Sequence, residues 1–143
     1  MALDLSVRGQ VAFHDLDVLE QDSIGGITGV RAYAYADPVG DQSAVGSVAL
    51  RIAPASNLWL TTFFDQGWVE TSYRRYGLPS PIPNSYRLAA AGITLNWVPW
   101  RGAMLSGTFA ASIPVEALPV ALTQPMETHP DGKRVWVGFT QSF

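Results

Sequence analysis

The residues able to do chemistry are scattered along this 143-residue chain, and their spacing speaks against the common reactions. His14 and His129 are far apart, neither has an acid at metal-ligand spacing, and Asp15 and Asp17 beside His14 read as caps of a strand end. Cysteine is absent, which excludes disulfides and thiolate metal sites. Ser23 and Ser43 sit in no Gly-x-Ser-x-Gly elbow, and no strand face carries a pair of carboxylates set for acid–base work. The glycine-rich run at 25–29 is no phosphate loop, because neither Lys-Ser/Thr nor a helix follows it. The chain is therefore expected to be no enzyme and to need no cofactor and no metal. What remains is one arginine, Arg31, inside the irregular stretch SIGGITGVRAYAYADPVGDQ at residues 23–42.

Composition narrows the setting of that arginine. Hydrophobic residues make up 48% and charged residues 15%, too apolar for a disordered chain. A net charge of −3, spread without runs, offers no basic stripe, so nucleic acid is not an expected partner. Asp4 and Arg8 interrupt the apolar core that a signal peptide needs, so residues 1–13 are expected to be strand rather than export signal. Nowhere do about eighteen apolar residues run together, which excludes a spanning helix but not a spanning strand.

The elements that flank Arg31 alternate with the two-residue period of strands. Over 2–14, Leu3, Leu5, Val7, Gly9, Val11 and Phe13 share a face, opposite Asp4, Ser6, Arg8, Gln10 and His14. The same pattern recurs over 44–53, 58–70, 85–98, 103–113 and 133–143. It sets Leu60, Thr62 and Phe64 against Thr61, Phe63 and Asp65, and Leu105, Phe109 and Ile113 against Ser106, Thr108 and Ser112. Six strands result, each close to the roughly ten residues a tilted strand needs to cross a bilayer. Their connections alternate between long (15–43, 71–84, 114–132) and short (54–57, 99–102), as in outer-membrane barrels with periplasmic turns and exterior loops. Trp59, Trp97 and Trp100 fall at the short-turn ends, where an aromatic girdle is expected. A soluble β-sandwich also alternates and stays open as a reading. Against it, the polar faces carry Ser, Thr, Gly, Asn and Ala rather than the Lys and Glu that guard water-exposed sheets.

Four features stand in order along the chain: Gly25-Gly26 followed by Val30-Arg31-Ala32-Tyr33, Phe64-Asp65-Gln66-Gly67, Gly92-Ile93-Thr94-Leu95-Asn96-Trp97, and an alternating strand that ends on Phe143. Together they resemble the outer-membrane transporters of two-partner secretion, the haemolysin and filamentous-haemagglutinin secretion proteins, within the superfamily of barrel-assembly insertases. The first is similar to that superfamily's lumen-loop motif Val-Arg-Gly-Tyr/Phe, the second to the strand motif Phe-Asp-x-Gly, and the third to the Gly-x-Gly-Leu-x-Trp strand. Two positions depart from the family pattern: Ala32 stands for the motif glycine, and Gln141 for an aromatic or aliphatic residue.

The resemblance implies an all-β fold: an antiparallel transmembrane β-barrel segment of six strands, residues 1–143 being the C-terminal part of a translocator barrel of about sixteen strands. Even the smallest natural barrels have about eight strands, so the six are expected to be an incomplete barrel and the chain a fragment. It further implies that the loop at about 15–43 folds into the lumen, where Arg31, with Tyr33 beside it, latches onto Asp65. Gly25, Gly26 and Gly29 would let the loop bend, and Phe143, Phe139 and Val137 would form the signal read by the barrel-assembly machinery. The implied partners are a secreted exoprotein, that machinery and outer-membrane lipid, and the implied location is the outer membrane of a Gram-negative cell. A barrel insertase, which shares the loop and strand motifs, is the nearest alternative.

Overall fold

Alternation of apolar with small polar residues gives each strand one face to cover and one to leave bare, and the computed structural model shows which is which. It describes residues 1–34, 38–72, 84–115 and 132–142. The strands are β1 (Ala2–Gln10), β2 (Asp22–Ser23), β3 (Val39–Gly40), β4 (Gln42–Ala55), β5 (Leu58–Glu70), β6 (Ser85–Trp97), β7 (Ala103–Ile113) and β8 (Lys133–Gln141). The fold is all-β, with no helix among the described residues. The six long strands form one antiparallel sheet in the order β1-β4-β5-β6-β7-β8, and the sheet does not close. Thus every long strand pairs with its neighbour in sequence among the long strands, as tight turns and returning loops dictate.

Two short turns set the register. Ser56 and Asn57 link Ala55 to Leu58, and a bulge between Ile52 and Ala55 absorbs one residue. Between β6 and β7, Gly102 has φ +86°, a backbone conformation that glycine adopts without a Cβ penalty. The first strand ends at Gln10 rather than at residue 14, because Gln10 pairs with Ser43 and the partner strand β4 runs out one residue later. Beyond it Asp41 is buried and accepts hydrogen bonds from the Leu16 amide and the Gln21 side chain, so Val11 and Phe13 have alternation but no ladder.

The inner face holds the core. Ile24, Val30, Ala32 and Tyr33 of the long connection pack on Val45, Phe63, Val69, Tyr86, Leu88, Ala90 and Ala110 of β4 to β7. The outer face is uncovered: Leu3, Leu5, Val7, Val48, Ile52, Phe64, Ile93, Leu95, Phe109, Val135, Val137 and Phe139 are all exposed. This inverts the usual arrangement, since a water-soluble sheet buries its greasier face. Trp97 and Trp100 are exposed near the short turn, but Trp59 pairs with Asn96 on the inner face, so it is no part of an outward-facing girdle.

Candidate functional site

The site is built on a hydrogen-bonded turn. Tyr33 N–H donates to the Val30 carbonyl at 3.1 Å, so Arg31 and Ala32 occupy the two central positions. A second turn precedes it, with Gly29 N–H donating to the Gly26 carbonyl at 3.0 Å, and the two are tied by Val30 N–H to Ile24 O (2.7 Å) and Gly26 N–H to Tyr33 O (3.1 Å). Two of the glycines here have geometric reasons. Gly26 takes φ +93°, and a Cβ on Gly29 would lie 2.2 Å from the Ile24 carbonyl oxygen. The loop tip is thereby a compact double turn held by four backbone bonds within itself. Ala32, where the motif has glycine, is buried in the core cluster.

This tip rests on Gly67 of β5, where an added Cβ would lie 2.8 Å from Val30 and 3.0 Å from Ile24. The glycine of the Phe-Asp-x-Gly stretch thus makes the seat for two apolar anchors, each contributing about 1.5–3 kcal/mol when fully buried. Two residues before it along the same face stands Asp65, fully buried at 0% exposure. Its Oδ1 accepts from Arg31 Nη2 at 3.1 Å and from Ser47 Oγ at 2.7 Å, and its Oδ2 accepts from the Arg31 backbone N–H at 3.2 Å. Arg31 Nη2 also donates to Ser47 Oγ at 3.0 Å. The carboxylate therefore grips the turn by its side chain and its main chain together.

The guanidinium, 17% exposed in its side chain, is closed in from the other side by Phe63, whose ring centroid lies 3.6 Å from its central carbon. Such a stack adds about 0.5–2 kcal/mol. Phe63 can lie flat there because its cross-strand partner is Gly92, where a Cβ would come within 2.5 Å of the ring. Aromatic cover of a paired glycine is a recurrent device in curved sheets.

Two further contacts span the sheet. Trp136 on β8, three strands from β5, donates its indole N–H to the Arg31 carbonyl at 2.9 Å. Tyr33 is buried beside Ser112 of β7, and burial pushes its phenol above the ordinary value while the Ser112 side chain partly offsets the shift. The far strands therefore reach back over the tip.

Of the expected site residues, Arg31, Asp65, Tyr33, Gly25, Gly26 and Gly29 come together at this one place. Val137 and Phe139 do not; they stand on the bare outer face of β8, and Phe143 and His129 lie outside the described residues. Ser47, Phe63, Trp136 and Ile24 complete the site without having been singled out in sequence, and Val30, known only as a motif residue, proves to be an apolar anchor. Among the described residues no group of acids and histidines could hold a metal.

Comparison with protein-family models, with characterised proteins and with solved structures gives no match. The arrangement must be interpreted from its own chemistry. A buried, doubly held ion pair fastens a loop to one face of a sheet whose other face is bare and apolar.

Proposed function

We propose that the chain is the C-terminal part of an outer-membrane translocator barrel that passes an unfolded exoprotein, in the manner of two-partner secretion, with the long connection as its lumen plug. One observation carries the reading: Arg31, at the centre of a rigid turn, is clamped on Asp65 of the inner face, in the two motifs whose resemblance implies that contact. The bare outer face supports a lipid environment, because contiguous apolar surface of this extent is costly in water, and an alternating lipid-facing band is the pattern of spanning barrels. A soluble sandwich would need a second layer over that face, and the described residues supply none. Open sheet edges in lipid would leave backbone groups unpaired, so the reading also requires further strands beside β1 and β8. The test is Asp65→Ala in the full gene product. Export of the exoprotein falls while heat-modifiable migration of the barrel persists; undiminished export would defeat the proposal.

A further inference from the structure

The long connection is tied down at a second point. Arg8, on edge strand β1, sets Nη1 at 2.9 and 3.1 Å from the two carboxylate oxygens of Asp22, and its Nη2 donates to the Ser23 carbonyl at 2.7 Å. The Ser43 hydroxyl of β4 donates to Asp22 Oδ2 at 2.5 Å. Asp22 and Ser23 are strand β2, itself paired with β3. The arginine therefore holds a piece of ordered backbone, by a side chain and by a carbonyl at once. Only a planar, forked donor reaches both acceptors in one plane. A partly exposed ion pair contributes little by itself, but four bonds converging from three strands form a network.

The two anchors use different hydrogen-bond partners: none of the four bonds at Arg8 and Asp22 involves Arg31, Ser47 or Asp65. Between them lies a cavity of about 400 Å³ lined by Ser6, Arg8, Thr28, Arg31, Val45 and Ser47, among others. Side chains separated by open space lack the contacts through which losses couple.

We propose that Arg8, Asp22 and Ser43 form a second, independent anchor, so that the tip at 24–33 can leave Asp65 while the base at 22–23 stays on β1 and β4. Arg8 is a positioning residue for the loop. The consequence for transport, a pore that opens by releasing the tip rather than by expelling the whole loop, rests on the plug reading above; the anchor itself does not.

These 143 residues contain no cysteine, so thiols introduced here are the only ones in this part, and any cysteine elsewhere in the full gene product is first replaced by serine. Ala32→Cys reports the buried tip, and Ser23→Cys reports the base, where the serine hydroxyl is buried without a hydrogen-bond partner. Thiol-labelling rates are measured for each in the full gene product in detergent, with Asp65→Asn, Arg8→Gln or both. Asp65→Asn raises labelling at 32 at least tenfold and leaves 23 unchanged; Arg8→Gln does the reverse, and the double variant shows the product of the two factors. Asp22→Asn reproduces Arg8→Gln, and Arg8→Lys, which keeps the charge but loses the fork, falls between Arg8→Gln and the parent. If Arg8→Gln leaves position 23 protected, or exposes 23 and 32 together, the second anchor is refuted. If Asp65→Asn exposes neither while Arg8→Gln exposes 23, the base anchor stands and the tip latch of the plug reading falls.

Discussion

Asp65→Ala is the most informative single substitution, because the structure states what it strands. It leaves the Arg31 guanidinium, mostly buried, without its carboxylate, and also frees the Arg31 N–H and the Ser47 hydroxyl. Breaking one side of a buried ion pair costs about 3–5 kcal/mol if nothing moves. The loop need not stay, however, since a docked segment opens locally once its own contacts are outweighed. The loss therefore appears first as local opening, which at about 1.4 kcal/mol per tenfold amounts to roughly two to nearly four orders of magnitude. The assay is native-state hydrogen exchange of the Gly29, Val30 and Tyr33 amides, whose acceptors all lie within the tip. Their protection should fall by that factor while the ladder of β5 with β6 keeps its own. Removing both partners, Arg31→Met with Asp65→Leu, leaves no orphaned charge and should restore most of the protection, because a packed apolar pair is often as stable as the ion pair it replaces. Unchanged exchange in Asp65→Ala, or a double variant worse than either single one, would refute the reasoning.

Three further outcomes follow from particular residues. Gly67→Ala drives a methyl against Ile24 and Val30, so the loop should lose about 1–3 kcal/mol of docking, read as the same tip exchange, whereas Gly46→Ala, where a Cβ meets open space, should leave it unaffected. Tyr33 is a group whose folded value is raised, so its contribution is complete below the ordinary phenol value of about 10 and is lost as pH rises through the raised one. Tip exchange should therefore rise at alkaline pH, and Tyr33→Phe, which has no phenol to ionise, should abolish that pH dependence. Deleting Phe143 should lower outer-membrane levels of the full gene product; unchanged heat-modifiable migration would count against an assembly signal there.

Much of the sheet was legible because a period of two reports faces directly: Asp65 lies opposite Phe64 whatever the loop does, and the short turns at 54–57 and 99–102 leave antiparallel neighbours little choice. Strand ends were less so, since Val11 and Phe13 continue the alternation past the point where β4 offers a partner. Trp59 shows a related limit, for its position near a turn suggested a girdle while its parity sends it inward. The site was half visible. Arg31 and Asp65 were found through motif order, which also contains Val30, but the anchoring of Val30 and Ile24 was not, because they sit in a stretch with no periodicity and only the space above Gly67 explains it. The Trp136 bond joins residues 105 apart and depends on how far the sheet curls, which no local pattern encodes. The same holds for Arg8 with Asp22, joined only once β2 and β3 fold over β1 and β4.

In the proposed barrel the bare outer face of the sheet meets lipid and the inner face meets water. Single cysteines at Val48, Phe64 and Phe109 on the outer face, and at Ser47, Thr94 and Ser106 on the inner face, carry an environment-sensitive fluorophore in the full gene product reconstituted in bilayers. Quenchers in the acyl chains should act on the outer set and water-soluble quenchers on the inner set, with the adjacent pair Ser47 and Val48 giving opposite answers. Equal access of the water-soluble quencher to both sets would contradict a membrane-spanning sheet, and with it the translocator reading.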